Sequence, residues 1–334
     1  MRLGFGLITC QKVPGDARSD ADLYREGIEL AEEAERLGFD SVWVSEHHFV
    51  DDGYMPSLLP MCAAIAARTN RITVGTGLVL APLQEPVRLA EDVATVDLIA
   101  DGRFVLGLGL GWRPEEFDGL QIPISERVRR TRDAVTICRQ AWGEGLVESR
   151  GIAVTPKPAQ PGGPPIWIGA LVEPGVRRAA QIGDGWMATR VTPESYAEQV
   201  AWVREELTRA GRDPSQFAFS MHLPTFAWEG DDAWERVRDS LNFVEWKYAD
   251  MLDARATTPP SAPAPALTPE REVELKNEIL LGQPEDVAEQ ILRFREASGT
   301  DFEFIARLYW PGMELSVQRE AMAVFGERVA PLLK

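Results

Sequence analysis

Two of the three histidines in this 334-residue chain are adjacent, in Glu46-His47-His48-Phe49, which follows the apolar run Ser41-Val42-Trp43-Val44-Ser45. Imidazole takes and gives protons near neutral pH because its reference pKa is about 6.5. Here a strand runs out into the turn-rich Asp51-Asp52-Gly53, where a parallel α/β barrel carries its active site. His47 is therefore the candidate proton-transfer residue. Glu46 either orients an imidazole or makes a buried ion pair, and His48 reads as a brace of the turn. Successive side chains of an extended strand point to opposite faces, so Glu46, His47 and His48 should not converge on one ion, and no metal site is expected. The third histidine, His222, lies in a distant predicted strand.

Glycines recur in Gly75-Thr76-Gly77 and in Gly107-Leu108-Gly109-Leu110-Gly111-Trp112. Glycine in a strand marks either a tight barrel corner or a backbone that a bulky planar group or anion approaches closely.

The elements that must position these residues alternate. Strands are predicted at 3–8, 41–45, 72–80, 103–110, 165–169, 185–188, 217–223 and 302–307. Helices are predicted at 21–37, 57–68, 86–99, 126–142, 174–182, 193–210 and 284–298. Eight apolar strands in alternation with helices predict an α/β TIM (β/α)8 barrel spanning 1–334 as a single domain. An open doubly wound sheet is the runner-up, weakened because no nucleotide fingerprint follows the first strand. The insertion at 228–281, near the C-terminal mouth, has helical patterns at 231–252 and 269–280. Between them, the Pro/Ala-rich run from Thr257 to Ala266 excludes a regular helix or central strand and reads as a mobile segment. It either covers the substrate or is an incidental surface loop.

Thirty-five basic against 52 acidic residues give a net charge of −17, with no basic run, which argues against a nucleic-acid partner. Cys10, Cys62 and Cys138 lack CxxC spacing and read as reduced cytoplasmic thiols. Neither a signal-peptide pattern nor a bilayer-length apolar run is seen, so no membrane partner is expected.

Together, Glu46-His47-His48-Phe49, Gly75-Thr76-Gly77-Leu78-Val79-Leu80-Ala81-Pro82, Pro86-Val87-Arg88-Leu89-Ala90-Glu91-Asp92, Asp101-Gly102-Arg103-Phe104, Gly183-Asp184-Gly185-Trp186 and Gly282-Gln283-Pro284-Glu285-Asp286-Val287 carry a family resemblance. The chain resembles the bacterial luciferase-like flavin monooxygenase and F420-dependent oxidoreductase superfamily over nearly its full length. The resemblance implies a TIM barrel with FMN or the deazaflavin F420 at the mouth. His47 falls at the histidine implicated in luciferase chemistry, and Gly77-Leu78 at the family's non-prolyl cis peptide. Gly109 and Gly111 would lie along the cofactor, and its phosphate would meet Gly169-Ala170-Leu171-Val172-Glu173-Pro174-Gly175, where a helix begins. Luciferases place hydroxyl residues around this region, where this chain has Val172 and Pro174, and Leu110 replaces a positive residue. Arg127, Arg177 or Arg178 would then supply the countercharge, or serve as surface or packing residues.

Glu46-His47-His48-Phe49 looks closer to FMN-using members, whereas Gly111-Trp112 with Pro114-Glu115-Glu116-Phe117 looks more like F420-using ones. The first expectation is a reduced-FMN monooxygenase, supplied by a separate flavin reductase, that reacts with molecular oxygen through a C4a-peroxyflavin. The alternative is an F420-dependent oxidoreductase that transfers hydride to or from a small organic substrate. A cofactor-free ligand-binding or assembly protein is the third reading. Trp43, Phe49, Trp112, Trp186, Phe226 and Trp310 would give an apolar aromatic mouth for a hydrophobic substrate, or else pack the barrel. The resemblance also implies a homodimer, to which Leu58-Leu59-Pro60-Met61-Cys62-Ala63-Ala64-Ile65 would contribute unless it serves the chain's own core.

Overall fold

Eight short apolar runs become parallel strands that close on themselves. They are β1 (Arg2–Ile8), β2 (Ser41–Val44), β3 (Thr73–Thr76), β4 (Phe104–Gly109), β5 (Ile166–Gly169), β6 (Gly185–Ala188), β7 (Ala218–Ala227) and β8 (Glu303–Arg307). β8 closes the barrel by pairing with β1, from Arg2↔Glu303 to Gly6↔Arg307, and with β7, from Ser220↔Glu303 to Pro224↔Arg307. The computed structural model describes residues 1–252 and 264–334, so residues 257–263 of the Pro/Ala run lie outside the described residues.

Parallel neighbours need long crossovers, and helices supply most of them. These are α1 (Asp20–Arg36), α2 (Leu58–Arg68), α3 (Pro86–Ile99), α4 (Pro114–Gly119), α5 (Arg127–Trp142), α6 (Glu173–Ile182), α7 (Pro193–Arg209), α8 (Ala233–Leu252), α9 (Pro269–Lys276), α10 (Pro284–Ser298) and α11 (Leu315–Val324). α1 illustrates the local logic. Ser19 and Asp22 form a reciprocal cap at its start, and Leu23, Gly27, Leu30, Ala31 and Ala34 bury one face at helical spacing. Among the described residues, no helix is long and apolar enough to cross a membrane.

Four local expectations change. The strand predicted at 72–80 is interrupted by the cis peptide Gly77–Leu78, after which Val79–Leu80 pairs with the end of β4. β7 runs on to Ala227, and its extra length gives Leu280–Gly282 a partner, so the helix predicted at 269–280 stops at Lys276. The loop after β4 contains α4, and α11 was not anticipated.

Strand parity sorts the barrel interior from the helix-facing layer. Leu7, Trp43, Val105, Trp167, Met187 and Ile305 fill the centre, with the Trp43 and Trp167 rings stacked 5.1 Å apart. Below them, the Trp43 indole N–H donates to Ser41 Oγ at 2.8 Å and to Glu303 Oε1 at 3.2 Å. Burial pushes the Glu303 carboxyl above its ordinary pKa, against the opposing pull of Arg2 and of the hydrogen bonds from Ser41 and Trp43. Trp43 is thus a floor residue, not part of the mouth.

Parity also corrects the placement of Trp186. Its neighbours Gly185 and Met187 face the barrel interior, so Trp186 faces outward and stacks on Tyr196 of α7, with ring centroids 5.6 Å apart. Phe226 and Trp310 are also absent from the mouth. Both are buried with Trp228, Trp234, Val237, Leu241 and Leu275, in the apolar cluster that seats α8 and α9 on the barrel.

Candidate active site

At the end of β2, alternation directs Ser45 and His47 one way and Glu46 and His48 the other. His47 Nδ1 lies 2.8 Å from Glu116 Oε1, and the His48 backbone N–H donates to the same oxygen at 3.0 Å. Glu116 is fully buried on the short α4, and its Oε2 has no hydrogen-bond partner. A carboxylate only accepts, so Nδ1 carries the imidazole proton and Nε2 keeps its lone pair for a reacting group. The His47 ring stands edge-on to Tyr54, Trp112 and Tyr248, at centroid distances of 4.9, 5.6 and 5.7 Å.

Glu46 serves the other side. Its Oε1 accepts from Leu80 N at 2.7 Å and lies 3.7 Å from His48 Nε2. The Glu46 carboxylate beside it raises the His48 pKa against the opposing effect of burial. The carboxylate that orients His47 is therefore Glu116, not Glu46. Sequence reasoning missed this role because 69 positions separate the pair. The only signal was the Pro114-Glu115-Glu116-Phe117 segment, read as a family mark rather than as chemistry.

The glycines first make room for Leu78, the residue after the cis bond. A Cβ at Gly169 would stand 2.0 Å from Leu78 Cδ1, and one at Gly109 would be 3.2 Å from the same atom. At Gly107 a Cβ would meet the Thr76 carbonyl oxygen at 1.9 Å, so only glycine lets β3 and β4 approach there. Gly111 has φ +68, and an added Cβ there would touch the Phe117 ring at 3.0 Å. Gly109 and Gly169 thus pack against Leu78 at the strand ends, while Gly77 lies against Leu7.

α6 begins after β5. Its N-cap, Val172, is 66% exposed and offers no side-chain cap, while Gly175 is buried in the first turn against Ala170. In its first turn Pro174 has no N–H and the Gly175 N–H donates to Val172 O at 2.8 Å, so the helix start offers a ligand little beyond the Glu173 N–H. Arg177 is committed to Glu173 at 2.7 Å and Glu205 at 2.9 Å, which leaves it poorly placed to neutralise a ligand. Arg127 and Arg178 have no carboxylate in salt-bridge range among the described residues. Burial, then the charges of Arg132 and Arg127, lower the Arg178 pKa, as expected of clustered cations without a counterion.

α8 supplies the far wall. Lys247 is buried and pairs with Asp51, in the loop after His47, and with Asp250 at 3.4 Å. The next residue, Tyr248, places its hydroxyl 3.0 Å from that of Tyr54, which donates to Ser45 Oγ at 3.1 Å. Arg190 pairs with Glu245 at 2.8 Å. The Tyr248 ring is flanked by Arg190 and Arg307, 5.9 and 5.3 Å from its centroid. His222 Nδ1 lies 3.3 Å from Thr189 Oγ1, and burial with the charges of Arg307 and Arg190 holds its pKa down at about 3. Trp112 stands beside His47, whereas Phe49 is 57% exposed on the rim, over Gly119. The mouth is less aromatic and more charged than the sequence reading expects.

Comparison with known proteins agrees with this architecture. Residues 1–301 match the family model described as luciferase-like monooxygenase. Monooxygenase RslO1 from Streptomyces bottropensis superposes with a TM-score of 0.83 at 27% identity, covering 99% of each chain. An F420-dependent glucose-6-phosphate dehydrogenase of Microbacterium testaceum is 34% identical over 54% of this chain, a stretch spanning only 57% of that protein. Its counterpart from Kineococcus radiotolerans is 29% identical over 100% of this chain and 97% of its own length. With the barrel, the cis Gly77–Leu78 bond and these matches in hand, the chain belongs to the luciferase-like monooxygenase family of flavin- or F420-dependent oxidoreductases.

Proposed function

We propose that this protein is an F420-dependent oxidoreductase in which His47 handles the proton that accompanies hydride transfer to or from a small organic substrate. The observation that carries the reading is the buried His47–Glu116 pair. Deazaflavin, when bound, supplies or accepts the hydride. In the oxidation direction, His47 Nε2 takes the proton of a substrate hydroxyl, and Glu116 stabilises the resulting imidazolium through Nδ1–H. In reverse, the imidazolium returns that proton to the substrate oxygen. Tyr248, held by Lys247 and Asp51, narrows the mouth and limits water around this transfer. On this reading the excursion at 228–281 is part of the site's cover, with α8 as its described wall. The uncompensated Arg127 and Arg178 suit the longer anionic tail of F420. The two F420-dependent relatives favour the same choice.

Reduced-FMN monooxygenation is the second reading, favoured by the full-length match to monooxygenase RslO1 and by Glu46-His47-His48-Phe49. It needs molecular oxygen and a separate reductase. Anaerobic titration with each reduced cofactor separates the two. F420 binding without FMN binding supports the proposal, and the opposite result transfers it to monooxygenation. Failure of both, with circular dichroism unchanged, leaves a cofactor-free ligand-binding or assembly protein.

We also infer a homodimer. On α2, Leu58, Met61, Cys62 and Ile65 serve the chain's own core, and Leu59 and Ala63, half-buried against that core, line a groove of about 300 Å³ with Pro60, Thr95 and Val96. Sedimentation at working concentration showing only a 37.1 kDa species would overturn the dimer.

A further inference from the structure

Arg307 is the charged group in the mouth that lacks an ionic partner. It ends β8 on the inward face, two pleats above the floor carboxylate Glu303, and is only 7% exposed. Among the described residues no carboxylate lies within salt-bridge range of it. A guanidinium taken out of water needs an anion or a full set of acceptors, and Tyr248, whose ring it faces, is neither. Tyr54 gives its single hydroxyl hydrogen to Ser45, so the hydrogen shared between the tyrosines comes from Tyr248.

The charge of Glu245 acts on Arg307 from beyond salt-bridge range, and that carboxylate is engaged elsewhere. Arg190 is matched by Glu245. Burial, then the charge of Glu245, raises the Glu278 pKa. Glu116 is committed to His47 and His48 N–H, and Lys247 is matched by Asp51 and Asp250. His222 stays neutral, in register with Ile305 on the neighbouring strand and one pleat below Arg307 on the same face. When the Thr189 hydroxyl donates to Nδ1, Nε2–H becomes a second donor beside the guanidinium.

We propose that Arg307 and His222 form the subsite for a delocalised oxyanion on the substrate, a carboxylate or phenolate, which makes the substrate an organic monoanion. The planar guanidinium fork matches two oxygens of such a group, which a lone ammonium does not. Held there, the anion lies against Tyr248, whose ring also borders His47. The proposal rests on the reading of this mouth as an oxidoreductase site, and it names the chemical class that site selects.

The test is calorimetric titration of the full-length protein without cofactor, using benzoate against benzamide and 4-nitrophenolate against 4-nitroanisole. At least one anion should bind tenfold or more tighter than its neutral isostere, and the pair that discriminates tells carboxylate from phenolate. Arg307→Met should abolish that preference. Arg307→Lys, which keeps the charge and guards against misfolding, should retain part of it. Equal binding of anion and isostere, or an undiminished preference in folded Arg307→Met, overturns the subsite. Competition between the anion and saturating F420 or FMN also overturns it, because the charge would then serve the cofactor. Anion preference in a protein that binds neither cofactor sinks the oxidoreductase reading while the anion site stands.

Discussion

Replacing Lys247 by Met tests whether α8 is clamped over the site by charge. Methionine keeps most of the apolar stem and removes the ammonium that joins α8 to Asp51. Removing one partner of a fully buried ion pair costs about 3–5 kcal/mol. Here the Asp51 and Asp250 side chains are 23% and 24% exposed, so water recovers part of their solvation. A cost of about 1–2 kcal/mol follows, which is roughly a 5- to 30-fold rise in the open population of α8. Hydrogen exchange read by mass spectrometry should therefore speed up by that factor in peptides covering 233–252. A peptide covering 104–109 of β4 should hold its protection, because its contacts lie inside the barrel. Unchanged exchange in α8, or equal acceleration in both peptides, would refute the clamp. Asp51→Asn should reproduce the α8 effect from the other side of the pair.

Glu116→Gln keeps the shape of the His47 partner but removes its charge. A charge-assisted hydrogen bond exceeds a neutral one by roughly 1–1.5 kcal/mol, so turnover should fall about tenfold. His47→Ala should lose about 10²–10⁴-fold with cofactor binding retained, and adding Glu116→Gln to it should cost little more. A further tenfold loss in the double mutant would show that Glu116 does not act through His47. Gly107→Ala and Gly169→Ala should differ in kind. The first drives a Cβ into the Thr76 carbonyl and should destabilise by about 3 kcal/mol or more in urea denaturation. The second meets only the movable end of Leu78, so it should weaken cofactor affinity while the denaturation midpoint stays close to wild type. At acid pH, Glu35 is the group to watch. Burial works to raise its pKa, but three backbone N–H groups at Asn70, Arg71 and Ile72 outweigh it and lower the value. A lowered folded-state pKa adds stability above the unfolded value of about 4.3 and loses it as pH falls through the folded one. Glu35→Gln should thus narrow its stability deficit between pH 5 and pH 2, and a constant deficit would exclude this linkage.

The barrel was legible because eight apolar runs alternate with capped, amphipathic helices, and that pattern fits few folds. His47 was legible because it directly follows a strand. What escaped was whatever depended on contacts across the barrel. Glu116 is one of 52 acidic residues, and nothing local marks it as the partner of an imidazole 69 positions away. Arg307 ends a strand among 35 basic residues, and its lack of a carboxylate partner is visible only once its neighbours are placed. Tyr248 belongs to an excursion whose docking no periodicity predicts. The Trp186 error is of another sort. The alternation argument that separated His47 from Glu46 and His48, applied between Gly185 and Met187, would have turned that ring outward.

The same parity explains why chemistry belongs at one end of this barrel. Glu303 and Arg307 lie on one face of one strand, separated by Ile305 and the apolar plug around it. At the floor, Ser41, Trp43 and Arg2 satisfy the carboxylate, which leaves nothing for a ligand to do. At the mouth, among the described residues, Arg307 faces a tyrosine with no carboxylate in salt-bridge range, and Glu116 has an unpartnered oxygen. An interior whose polar groups are satisfied below the plug and unsatisfied above it is stable in the first region and reactive in the second. A neutral, fully apolar substrate would leave the Arg307 charge uncompensated on binding, whereas an organic anion would remove that deficit as it brought its reacting carbon to His47.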